Sequence, residues 1–337
     1  MAPGKDENFG NMTRFPHKAL PAIAMALAFA APAYPWAREG HMAIATVAAQ
    51  NLSADARSHI IKILGNDDLA SISVYMDELR TAAVHAGPLG LDPEAQSFNH
   101  EFPNNFYWHF VDLPLGTKSY ELDGPFAKPD DVVHSIEMAV SVLEGGGDPR
   151  ISQKMAIRMI VHFVGDLHQP LHCVSGYYTI AADNTAKLVT DPDAAKGLQS
   201  DKGGNSLYFG PNKYDELHSE WDYTLPTKVT GNNFTADLVK VLAPKVAAEG
   251  AGWASKGDYH HWPEAWANES LAAAQIAYQG IQFGAITYDQ KDPKSIYKIA
   301  ITLPPNYEET CTPLAEERLA KAAFHLSEIL NSIHWSN

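Results

Sequence analysis

Basic residues are scarce in this chain of 337 residues: 25 lysines and arginines stand against 40 aspartates and glutamates, a formal charge of −15. That balance excludes a protein that grips nucleic acid by its backbone, which needs clustered cations. A polyanion can still be hydrolysed in one cleft where bound metal supplies the positive charge. Cysteine is nearly absent, with Cys173 and Cys311 alone, so no disulfide scaffold carries the fold. The two thiols fit either a single bridge or two separate core positions. No stretch of about 18 apolar residues exists to span a bilayer. Repeats, strand-rich tracts and long heptads are missing too, and a chain of this length buries a sizeable core unaided.

What is present begins with residues 12 to 33, which have the form of an export signal. Arg14 and Lys18 precede an apolar run from Ala19 to Ala31 and the triplet Ala31-Pro32-Ala33. Residues 1–35 are therefore read as a leader, and a secreted or periplasmic protein is expected. Without the leader the charge is still about −16, so the acidity belongs to the body of the protein. Helical periodicity follows at Met42–Ala49, Ser53–Leu64 with Ser53 as cap, Ile72–Val84, Asp131–Glu144, Ile151–Leu167, 233–249, 262–279 and Pro313–His334. Residues 86–105 read as a loop, Tyr107–Leu113 as extended, 174–204 as a polar insertion and 284–311 as irregular. The pattern predicts one mainly α, single helical domain over 36–337 with long loops.

The chemistry is concentrated in His162-x3-Asp166-x5-His172 and in His218-x3-Asp222. Residues four apart share a helix face. A lone pair of this kind is often a satisfied core histidine. Two pairs and a third histidine are costly to bury without purpose, and mixed His/Asp sites usually hold Zn2+. Upstream stand Asp77 three residues before Arg80, His109 with Asp112, and His41 five residues after Trp36. His168, two residues past Asp166, faces away from the ligand stripe and is read as a supporting or surface residue. His260, His261 and His334 have no partner at useful spacing.

Together with Gly203-Gly204-Asn205 and Leu217-His218-x2-Trp221-Asp222, these motifs resemble the S1/P1 nuclease family over essentially the whole chain from Trp36. The resemblance implies a helical fold of the phospholipase C/P1 nuclease type and three zinc ions. It also implies cleavage of single-stranded RNA and DNA to 5'-phosphate ends, 3'-nucleotidase activity on mononucleotides, and a monomer without membrane attachment or a stable protein partner. By the same resemblance Asp77, His109, His162 and Asp166 surround one zinc, and His172, His218 and Asp222 a second. Trp36, through its α-amine and carbonyl, takes the third with His41 and the shared Asp166. Asp112 orients or deprotonates the attacking water and Arg80 contacts phosphate. Phe110, Gly203, Gly204 and Asn205 or Asp201 make the base pocket.

The chain departs from that pattern at its start. A signal cut after Ala33 leaves Tyr34-Pro35 ahead of Trp36, and removal of that dipeptide is needed to free the amine. Two alternatives remain: a zinc-dependent phospholipase C, and a non-catalytic exported zinc-binding protein. The first usually ends its last ligand pair with glutamate, where this chain has Asp222, and lacks the Gly-Gly-Asn segment. The second leaves Arg80 and Asp112 without a job.

Overall fold

The helix Gln153–His168 is the axis of the molecule, and from Met155 to His168 every residue is buried. Ser152 caps it by accepting from the Met155 amide, and Pro170 prevents its continuation. Such all-round burial needs neighbours on every side. Val132–Leu143, Trp262–Ala277 and Tyr307–Ser332 supply them. Ala37–Gln50 packs on Tyr307–Ser332 and Thr235–Trp253, so this helix, the first among the described residues, is clamped beside the axis. The computed structural model describes residues 36–84, 92–212, 214–288 and 297–336, with side chains given only to residue 80 in the first stretch. The expected leader lies outside the described residues.

The mainly α architecture agrees with the periodicity, and the departures lie in the loops. The stretch read as a loop contains the helix Pro93–Glu101, capped by Asp92 with proline at its first position. Tyr107–Leu113 is not extended: Asn105–His109 is a 3-10 turn, and only Leu113–Pro114 pairs as strand, parallel to Val174–Ser175. The insertion folds as a three-stranded antiparallel sheet with Tyr177–Ile180 between Ala186–Val189 and Gln199–Ser200. The irregular region holds the strand Tyr297–Thr302 and most of Gln282–Tyr288, which pair antiparallel; Leu207–Tyr208 joins the former. Strands this short leave too few alternations to read. The last helix starts at Tyr307, so Pro313 lies inside it rather than at its head. Cys173 and Cys311 are both buried free thiols. Among the described residues no helix is long and apolar enough to cross a membrane.

Candidate metal centre

Asp166 is the hub of the site. Its Oδ2 stands 2.9 Å from His109 Nδ1 and 3.2 Å from His162 Nε2, and its Oδ1 lies 3.3 Å from His41 Nε2. Asp77 approaches from the helix Tyr75–Val84, its Oδ1 3.8 Å from His109 and 3.7 Å from His162. The rings of His41 and His162 stack with centroids 4.2 Å apart. That contact is possible because position 165 is glycine: a Cβ there would meet His41 Nδ1 at 2.7 Å. A second group forms where His172, just past Pro170, meets His218, and where His218 Nε2 approaches Asp222 Oδ2 at 3.2 Å. Three donor sets close enough to share an ion result: His41, His162 and Asp166; Asp77, His109 and His162; His172, His218 and Asp222.

The hydrogen bonds on the far side of these rings fix which nitrogen faces inward. The Nδ1 atoms of His162, His172 and His218 lie 2.7, 2.7 and 2.6 Å from the carbonyl oxygens of Ser73, His109 and Gly203. A carbonyl only accepts, so each Nδ1 donates and each Nε2 presents its lone pair to the cluster. A lone pair facing carboxylate oxygen at 3.2 Å is repulsive unless a cation stands there. Two ligands about 2.1 Å from one tetrahedral zinc are about 3.4 Å apart, which matches these spacings. His172 Nε2, Asp166 Oδ1 and Asp222 Oδ2 are buried and make no hydrogen bond. The donor set therefore fits a divalent ion that takes nitrogen and oxygen ligands, zinc among them.

Without metal, protons take over part of that task. Burial alone would lower His162, but the charges of Asp166 and Asp77 outweigh it and push it up to about 9. His218 is likewise raised to about 9, Asp222 prevailing over burial. Burial lowers His41 to about 4 and His109 to about 3, keeping both neutral. Asp77 is pushed up to about 7, chiefly by burial. Asp166 and Asp222 sit below the usual range because their histidines overcome the burial cost.

Trp36 is fully buried with a left-handed backbone, its indole donating to the Gly165 carbonyl at 2.9 Å. Its backbone nitrogen donates to Asp222 Oδ1 at 3.1 Å. Trp36 thus ties the two ligand groups together. Gln169 is a supporting residue that motif spacing did not reveal. Its amide nitrogen donates to Asp222 Oδ1 at 2.8 Å while its oxygen accepts from the Leu171 amide. With Oδ1 so occupied, Oδ2 is the oxygen left for an ion. Gln169→Met is expected to weaken metal binding at the His172 group about 10- to 100-fold, read by competition with a chromogenic chelator. Unchanged affinity would reduce Gln169 to a helix cap.

Asp112 lies one short ladder from the metal ligands. The Val111 amide donates to the His172 carbonyl at 2.8 Å, which sets residues 109–114 alongside 172–175. Asp112 Oδ1 accepts from Ser175 Oγ at 2.7 Å, and burial raises its pKa against that hydrogen bond. Ser175 Oγ in turn accepts from the Gly203 amide at 2.7 Å.

Asp201 is not available to a base. It is fully buried, and its carboxylate accepts from the amides of Gly176 and Gly204 and the hydroxyls of Tyr178 and Tyr278. It holds the glycine turn in place, so any base-edge contact from this turn falls to Asn205, whose amide nitrogen already donates to the Lys202 carbonyl. Phe110 is half-buried beside Phe106 and Tyr107, and the Arg80 guanidinium rests 4.5 Å above the Phe106 ring. His168 is not at the surface: it is fully buried, its Nε2 2.7 Å from His325 Nδ1. His261 does have partners, Glu137 and Glu264, brought to it by neighbouring helices.

A model of the S1/P1 nuclease family matches residues 36–334. The chain belongs to this family. It is similar to Nuclease P1 of Penicillium citrinum, 26% identical over 325 residues that cover 89% of this chain and 98% of that protein. Endonuclease 1 of Arabidopsis thaliana is 24% identical over 88% of this chain and 87% of its own length. Nuclease S1 of Aspergillus oryzae is 22% identical over 93% and 97%. The S1/P1 match spans every ligand candidate from Trp36 to Asp222.

Proposed function

We propose that the chain is an exported S1/P1 nuclease with three zinc ions that cleaves single-stranded RNA and DNA to 5'-phosphate products and removes 3'-phosphates from mononucleotides. One catalytic domain, 36–337, follows the leader, and the protein works as a secreted or periplasmic monomer. The observation that carries the reading is the inward-facing set of histidine lone pairs set against carboxylates at ligand spacing. Asp77, His109, His162 and Asp166 hold one ion. His172, His218 and Asp222 hold the second. His41, Asp166 and Trp36, once its amine is freed, hold the third.

Bound zinc supplies water ionised near neutrality and positive charge for the phosphoryl oxygens. Asp112, with a pKa raised by burial, takes the proton of the attacking water. Arg80 offers an always charged planar donor to the phosphate. The bond from phosphorus to the 3'-oxygen breaks and leaves a 3'-hydroxyl and a 5'-phosphate. Single strands are favoured because paired bases cannot reach a pocket beside the ions.

The test is release of acid-soluble nucleotides from single-stranded RNA and DNA as isolated, after chelation and after zinc is restored. Zinc-restorable cleavage, far slower on duplex DNA, is expected. A folded, zinc-loaded sample that cleaves phosphatidylcholine and no polynucleotide would overturn the reading. Zinc affinity should also depend on pH. His218 keeps its proton up to about 9, so an ion entering its group displaces one proton. Affinity there should fall about tenfold per unit as pH drops from about 8 to about 6, measured with a chelator whose own pH dependence is known. A flat profile would mean His218 is not a ligand.

A further inference from the structure

We propose that Phe106 and Tyr107 form a base-stacking subsite next to the ligand cluster, which takes the nucleotide neighbouring the one under attack in a single-stranded chain. The inference rests on the single-strand nuclease reading above and adds to it a site on residues outside the family motifs.

Asn105–His109 winds as a 3-10 turn, in which successive side chains fan out by about a third of a circle. His109 faces the cluster with Phe106 one turn before it on the same side, and Trp108 is buried against Phe98 and Phe102. Phe106 and Tyr107 are left outside, each 44% exposed. Packing does not account for them, since their neighbours already fill the core. The two rings meet nearly at right angles, centroids 5.4 Å apart, and each stands 6.0 Å from Phe110. The result is a wall of three rings set edge to face, beginning three residues before a proposed metal ligand.

Two cations flank this wall. The Arg80 guanidinium carbon lies 4.5 Å from the centre of Phe106, and Lys128 Nζ 5.4 Å from that of Tyr107. In a chain of charge −15, a cation against each exposed ring is a specific pairing. Single-stranded nucleic acid asks for this combination: aromatic faces for the bases and positive charge for the backbone, without regard to sequence. Continuity with Phe110 and Arg80 places the occupant on the same strand as the phosphate to be cut.

The test compares kcat/KM on single-stranded oligothymidylate with kcat/KM on thymidine 3'-phosphate, which has no neighbouring nucleotide to stack. The ratio is expected to fall about tenfold for Phe106→Ala or Tyr107→Ala, and further for the double variant. Tyr107→Phe, which keeps the ring, should restore it. The change should lie mainly in KM. A ratio that holds in the double variant would overturn the subsite: unchanged rates would mean that no base rests there, and equal losses on both substrates that the rings merely support His109. If the parent protein hydrolyses thymidine 3'-phosphate but no oligonucleotide, the nuclease reading itself fails, and that result is seen before any variant is made.

Discussion

Asp166→Asn is expected to lower phosphodiester hydrolysis at least about a thousandfold and to strip the protein of the ions that depend on this carboxylate. Asparagine keeps the shape of the side chain but replaces one oxygen by an NH2 group and removes the charge. Three histidines converge on the two oxygens, at 2.9, 3.2 and 3.3 Å. The amide nitrogen has no lone pair for an ion, and it would instead hydrogen-bond to one of the histidine lone pairs and take it out of the ligand set. Both the Asp77 group and the His41 group share this residue's surroundings, so zinc content should fall to that of the His172 group alone. Metal analysis after gel filtration reads this directly. His162 should also lose its raised pKa, because Asp166 is the largest influence that lifts it against burial. A variant that keeps its full zinc and turnover would remove Asp166 from the ligand set.

Gly203→Ala is expected to cost about 3 kcal/mol or more of stability and to release the ion of the His172 group, although residue 203 touches no metal. Its φ is +62°, and an added Cβ would lie 2.1 Å from the Leu171 carbonyl oxygen. Backbone on both sides must move to relieve that clash. The Gly203 carbonyl is what orients His218, at 2.6 Å from Nδ1, and the Gly203 amide donates to Ser175 Oγ, which in turn holds Asp112. A shift of the turn therefore disturbs a ligand and the proposed base together. Gly197→Ala is the comparison: its φ is +78° with nothing within 4 Å of the added Cβ. It should cost only the left-handed strain, about 1 kcal/mol. Thermal unfolding with and without chelator separates the two; equal losses would mean the Gly203 contact is soft.

How much was legible follows from how local each relation is. His162 and Asp166 share a face because a helix repeats every 3.6 residues, and the sequence around them is apolar enough to announce a buried helix. The pair His218 and Asp222 keeps its spacing although a π segment, Glu220–Thr224, starts between them. The helix Pro93–Glu101 was hidden behind a Gly- and Pro-rich stretch, yet Asp92-Pro93 is a proper helix start and could have been used. Strands of two to seven residues gave no such signal. Gln169 carries no motif, since its value comes from Asp222, 53 residues away. Asp201 looked like a base reader because it adjoins Gly203-Gly204-Asn205; burial and four donors show that it serves the turn.

The sequence alone determined the ligand types, their pairing along helices, the acidic body and the membership that those motifs imply. These are properties of neighbouring residues, and backbone geometry converts spacing into direction. Only the tertiary structure decided which pairs converge, which nitrogen of each histidine faces inward, and that Phe106 and Tyr107 stay in water while Trp108 does not. Those depend on contacts between segments tens of residues apart, such as the Ser73 carbonyl on His162 and the space that Gly165 leaves for His41. Long-range packing has no period along the chain, so no pattern of spacing can report it.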